Sequence, residues 1–308
     1  MSFGSADSAS FQVSAGDEVI YAGTAFRRPD AAELSVRLND ICADFLSNPL
    51  PDFGDEAERD TQAAPELVRT FGVQFTMGGT VSKVAEVQFF RDWSYDPDWP
   101  LTGLANDLIV PLLDRRQKLV LTSYTNAQRA LRVTPVSGLS PSYVIGGGDG
   151  PYNVTFSLTN VRSVSCSGIT WQVEETCLRY ALYYLNAHGG WDSLLVRGAA
   201  SVSDAMERST AWRDYDNSDA RNRGRVNWRN AVTRTWTLHT GWLTDEQAAK
   251  MHHLLESTDV YLLDLETQEL RAVVLTDTEA PVKTFKGEGR NLVEYTVTAQ
   301  YAQDIERR

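Results

Sequence analysis

A chain of 308 residues, 42% hydrophobic and 23% charged, can bury a substantial core and has the composition of an ordinary globular protein. Its net charge of −12, with a pI of about 4.8, repels phosphate backbones and anionic lipid, so neither nucleic acid nor a membrane is an expected partner. No window approaches the roughly 18 apolar residues of a membrane-crossing helix, and Met1–Ser10 lacks the basic and apolar regions of a signal peptide. Three cysteines (Cys42, Cys166, Cys177) do not make a disulfide framework, so synthesis in a reducing cytoplasm with free thiols is expected.

In chain order, the first predicted element is a short helix over 38–47, ending before Asn48-Pro49. Residues 51–65 are polar, acidic and bracketed by prolines, and read as a surface loop or linker. Phe71, Val73, Phe75 and Met77 alternate with polar or small residues, as do Val81, Ala85, Val87 and Phe89. Such period-two alternation marks strands with one buried face, and Gly78-Gly79 between them supplies a tight turn, so 67–90 is a predicted hairpin. Gly146–Gly150 is a flexible break and the expected domain boundary, followed by a strand through Val154, Phe156 and Leu158.

Two further hairpins are predicted, 180–197 around Ala187-His188-Gly189-Gly190 and 261–276 around Glu266–Glu269. Residues 203–230 are rich in Arg, Asp and Asn without periodicity, and read as a long irregular excursion of the kind a partner orders. Thr244 as N-cap with Gln247 three residues on forms a capping box, which starts a helix over 244–257 with Ala248, Met251, Leu254 and Leu255 on one face. Val293, Tyr295, Val297, Ala299 and Tyr301 make the most regular strand, at the C-terminus. The expected fold is mainly β: two β-sandwich or barrel-like domains, 1–148 and 149–308, with one or two short helices packed on sheets.

No motif carries a reaction. His252 and His253 are adjacent, so on a helix they diverge by about 100° and cannot both face one metal. His188 lies in a turn, His239 in a strand, and no nucleophile-elbow sequence occurs. Asp214–Asp219 has alternating oxygens, but the sixth position of a calcium loop is Asp219 rather than glycine and the twelfth is Arg225 rather than Glu. Neighbouring acids such as Glu174-Glu175, or Asp92 and Asp96, are what an acidic chain produces by chance. The reading is therefore of a protein without catalytic residues, cofactor or metal.

What remains is material for an interface. Trp93, Tyr95 and Trp99 form an aromatic loop suited to anchoring a partner or stacking on a sugar. Trp212, Arg213, Tyr215, Arg221, Arg223, Arg225 and Trp228 concentrate in the excursion, and Trp and Arg are the residues interfaces favour. A basic, aromatic segment in an acidic chain is matched to an acidic face on another copy of itself.

Val19–Ala25 (V-I-Y-A-G-T-A), Arg37–Leu46 (R-L-N-D-I-C-A-D-F-L) and Leu178–Gly198 resemble proteins of tailed phages and prophages of gut Bacteroidales. The C-terminal order of helix, hairpin and closing strand is similar to that of tail-tube, distal-tail and baseplate proteins. The resemblance covers about half the chain. It implies a structural protein of the virion tail, made in the host cytoplasm, self-associating as a ring and docking to other tail proteins. It brings no catalytic residue with it. The alternatives are a carbohydrate-binding or adhesin module holding a host-surface glycan on Trp93, Tyr95 and Trp99, and a glycan-active enzyme.

Overall fold

The structure is a computed structural model that describes the chain except residues 1, 4–7, 28–33, 54–57, 78, 92–102, 126, 147–149, 213–223, 277–291, 304 and 308. It is mainly β, as the alternation implies. The predicted hairpin at 67–90 is Val68–Met77 paired with Thr80–Phe90. These strands form a four-stranded antiparallel sheet in the order Glu18–Phe26, Ser8–Ala15, Val68–Met77, Thr80–Phe90. Its alternate residues Phe11, Val13, Phe71, Val73 and Phe75 bury one face under Leu38, Cys42 and Leu46. The predicted helix over 38–47 is a turn of α-helix, Asn39–Cys42, continued by a 3-10 turn, Ala43–Phe45.

The middle of the chain is a small sandwich. One layer has five strands in the order Ser142–Ile145, Arg129–Pro135, Val161–Cys166, Ile169–Glu174, Leu112–Asp114, with the last pair parallel. The other has Arg59–Ala63, Tyr152–Ser157 and Lys118–Ser123. Leu121, Val154 and Phe156 from one layer meet Leu131, Val164 and Trp171 from the other in a single core. Two sequence expectations are corrected here. Gly146–Gly150 does not divide 1–148 from 149–308, because Tyr152–Ser157 pairs with both Arg59–Ala63 and Lys118–Ser123, and Val161–Cys166 pairs with Arg129–Pro135. The polar stretch 51–65 is not all loop, since Arg59–Ala63 is an edge strand whose side chains face solvent or the rim.

The C-terminal sheet has eight strands. Seven run in the order Trp191–Leu195, Tyr180–Leu185, Val260–Asp264, Glu269–Leu275, Val293–Tyr301, Arg225–Leu243, Ala200–Trp212, and Ile305–Arg307 pairs beside Arg225–Leu243. One face carries Leu182, Tyr184, Trp236, Leu238 and Val297 under Met251 and Leu254. The other carries Ala181, Tyr183, Leu185, Trp191 and Leu263 and packs on Val120 of the sandwich. With both faces covered, every residue of Tyr180–Leu185 and Trp191–Leu195 is buried.

The capping box forms as predicted, with the Thr244 hydroxyl accepting from the Gln247 N–H and Gln247 Oε1 accepting from the Thr244 N–H. The helix it starts is interrupted, however: Asp245–Ala249 and His252–Leu255 are separate short helices. The largest correction is at 203–230. Its described residues are not irregular: Ala200–Trp212 pairs antiparallel with Arg225–Leu243 over a long stretch, broken by a bulge at Trp228.

Candidate functional site

Two features stand out from the body of the fold, a projecting arm and a buried polar junction. The arm is the outer part of the Ala200–Trp212 and Arg225–Leu243 hairpin. Where a strand has one buried face its side chains alternate in exposure, as Trp236, Leu238 and Thr240 do near the end of Arg225–Leu243. Along Ala200–Trp212 every residue is exposed or partly so, and neither face is buried by the described residues. Met206, Trp212 and Trp228 stand 61%, 72% and 63% exposed.

The guanidinium of Arg225 lies 5.1 Å from the centre of the Trp212 ring. Nearer the base, Arg234 grips Asp204 with two hydrogen bonds of 2.7 and 2.9 Å. Residues 200–235 hold seven arginines and five acids, a net +2, which leaves −14 for the rest of the chain. Of the interface residues expected from sequence, Trp212 and Arg225 pair across the two strands where the described part of this arm stops, and Trp228 is the bulge residue opposite Ser209 and Thr210. Trp93, Tyr95, Trp99, Arg213, Tyr215, Arg221 and Arg223 lie outside the described residues, as does the Asp214–Asp219 stretch.

The junction centres on the turn at Ala187–Gly190, which is buried where the sandwich meets the C-terminal sheet. A Cβ at Gly190 would lie 2.4 Å from the Ala105 carbonyl oxygen, and one at Gly189 (φ +73°) would strike the Arg91 carbonyl, so only glycine fits either position. Asparagines satisfy the backbone groups that this close approach buries. Asn48 donates to the Gly189 carbonyl and accepts from Asn153, while Trp191 Nε1 donates to the Asn48 carbonyl. Asn106 reaches the Val120 and Trp191 carbonyls and accepts from the Thr122 N–H.

Asn186 holds the turn itself, its side-chain oxygen accepting from the N–H groups of His188 and Gly190. At the centre Asp192 is buried, and among the described residues no cation pairs with it. It accepts from Asn186, Asn106 and the Asp107 N–H. Burial raises its pKa more than those three donors lower it.

Asp107 links this network to an open cleft of about 510 Å³, whose polar lining includes Asn106, Thr244, Gln247 and Lys250. Its carboxylate meets His253 Nε2 at 3.2 Å and His188 Nε2 at 3.9 Å, and pairs with Lys250. Burial would push the Asp107 pKa up, but the hydrogen bonds from His253 and Lys250 prevail and bring it down to about 2. Sequence spacing could not find this group, since residues 107, 188 and 253 meet only through the tertiary fold. The adjacent His252 takes no part; its Nδ1 lies 2.6 Å from the Ala249 carbonyl.

Asp107, His188 and His253 present one ligand atom each within 4.8 Å of one another, a spacing a cation could use. The hydrogen bonds oppose it. The Ala187 N–H donates to His253 Nδ1, so the proton sits on Nε2 and points at Asp107. Ligation through Nε2 would move that proton to Nδ1, against the Ala187 N–H, and the Lys250 ammonium would stand beside the metal. The same occupancy keeps His253 from acting as a general base toward the cleft. The arrangement fixes a turn and two helices in place.

The chain matches no protein-family model, and no curated protein or solved structure is similar to it above threshold. Fold and site define a mainly β protein whose sandwich and C-terminal sheet are joined by a buried polar network, and whose Ala200–Trp212 strand is exposed along an arm of that sheet. Among the described residues, no helix is long and apolar enough to cross a membrane.

Proposed function

We propose that the protein is a structural subunit of a phage tail or baseplate, which assembles into a ring and docks to neighbouring tail proteins. The observation that carries this reading is the arm: a strand of 13 residues exposed along its length, with Met206, Trp212 and Trp228 in solvent. Unsupported apolar residues on a paired, regular hairpin are spent on a partner or not at all. The basic arm against a body of −14 gives a head-to-tail contact between copies, the kind of contact that closes into rings.

The welded junction suits the same role, because subunits that transmit force through a ring need a body that does not hinge. Nothing in this reading requires catalysis, and the virion tail is the corresponding location. It is tested on particles purified from a host that carries this sequence. An antibody against the chain should label the tail or baseplate in electron micrographs; label on the host surface or in the soluble fraction alone would refute it.

A further inference from the structure

Ala200–Trp212 ends the eight-stranded sheet, and among the described residues no strand pairs with its outer edge. Thirteen residues at about 3.3 Å each make an edge of about 43 Å. Proteins blunt such edges with lysine, proline or short length, and this strand has no lysine, no proline and no bulge of its own, since the extra residue at the bulge is Trp228 on the neighbouring strand. Its few charges are Asp204, Glu207 and Arg208.

An isologous pairing of this strand with a second copy is confined by symmetry to registers that place some residue opposite itself. Centring on Asp204, Glu207 or Arg208 sets like charges face to face. Centring on Ala205 puts Asp204 against Met206. Centring on Met206 alone sets Asp204 opposite Arg208 of the second copy, twice by symmetry, on the face where Val202 and Met206 are exposed. The same register sets Val202 against Thr210 and Ala200 against Trp212. It also extends the Arg234–Asp204 pair into a ladder of Arg234, Asp204 and the second copy's Arg208 across three strands.

We propose that Ala200–Trp212 of one copy pairs antiparallel with Ala200–Trp212 of a second, Met206 opposite Met206, joining two eight-stranded sheets into one. The occupant of this edge is thus another copy of the chain, recognised by charge register and backbone hydrogen bonding. This goes beyond the ring reading and does not depend on it. If rings form, the two-fold contact sets them back to back in pairs.

The register makes the test specific. Cys42 and Cys166 are buried and Cys177 is exposed, so the full chain is studied with Cys177→Ser. Met206→Cys brings two thiols to opposite positions, with Cβ atoms about 5 Å apart, and a short bifunctional thiol reagent should convert most of the protein to a covalent dimer. Val202→Cys alone places its two thiols about 27 Å apart, eight residues out of register, and should not cross-link. An equimolar mixture of Val202→Cys and Thr210→Cys proteins should.

Arg208→Asp, at an exposed site the fold does not use, should weaken dimerisation roughly tenfold in sedimentation equilibrium. A monomer at every concentration, or cross-linking equal at 202 and 206, would overturn the pairing. Rings without the Met206 cross-link would overturn it and leave the ring reading standing; cross-linked dimers that never form rings would do the reverse.

Discussion

Replacing Asn106 with alanine should cost the fold about 3 kcal/mol. Its side chain is buried, donates toward the Val120 carbonyl, the Trp191 carbonyl and the Asp192 carboxylate, and accepts from the Thr122 N–H. Removing it leaves a buried N–H without an acceptor and takes one of three donors from a buried carboxylate. Each such loss costs about 1–3 kcal/mol, with the charged partner at the upper end. Urea unfolding at neutral pH measures it, with Asn227→Ala on the exposed arm as the control, expected within about 0.5 kcal/mol of the parent.

The sign of the pH dependence follows from Asp192. Its folded pKa lies above its unfolded value, so ionisation costs the folded state stability as pH rises past that range. Losing a donor enlarges that cost, and the Asn106→Ala penalty should be larger at pH 8 than at pH 4. An Asn106→Ala protein as stable as the Asn227→Ala control would refute the view that this network welds the sandwich to the C-terminal sheet.

Further outcomes are expected. Gly190→Ala drives a Cβ into the Ala105 carbonyl, backbone against backbone, and should cost about 3 kcal/mol or more, read as lost soluble yield or a lowered Tm. Asp107 and Asp114 both have pKa values lowered from 3.8 to about 2, against burial, by donors from His253 and Lys250 and from Arg116 and Thr176 respectively. Each therefore contributes about 2 kcal/mol that is present above pH 3.8 and lost as pH falls toward 2; Asp114→Asn should flatten that fall in acid titrations of stability. Trp212→Ala and Trp228→Ala should leave the Tm of the isolated chain within about 2 °C while weakening self-association in sedimentation velocity, because both rings are in solvent.

The strands with one buried face were legible from sequence. Phe71, Val73 and Phe75, and Tyr295, Val297 and Ala299, alternate because one side of each strand meets a core. The Thr244 cap was legible because it is local chemistry. The arm was not: with both faces in solvent, Ala200–Trp212 has no reason to alternate, and its polar composition imitates a loop. Arg59–Ala63 escaped for the same reason.

The junction escaped for a different one. Asn48, Asn106, Asn153, Asn186 and Asp192 look like turn residues one at a time, and become a network only when four distant segments meet, Asn186 and Asp192 sharing one hairpin. The Gly146–Gly150 stretch misled because glycines mark flexibility and not pairing, and the strands on either side of it pair within one sandwich. The histidines were half legible: adjacency excluded a shared role for His252 and His253, but nothing in the sequence joins His253 to His188 and Asp107.

The central claim is that the chain is built to assemble through its arm. Electron microscopy of the purified full-length protein, concentrated and sorted into class averages, tests it most directly. The account predicts closed rings, single or back to back, with the arm at the contacts between subunits, and their disappearance when Trp212 and Trp228 are both changed to alanine. Particles that remain single subunits at every concentration, or rings indifferent to the two substitutions, would contradict it.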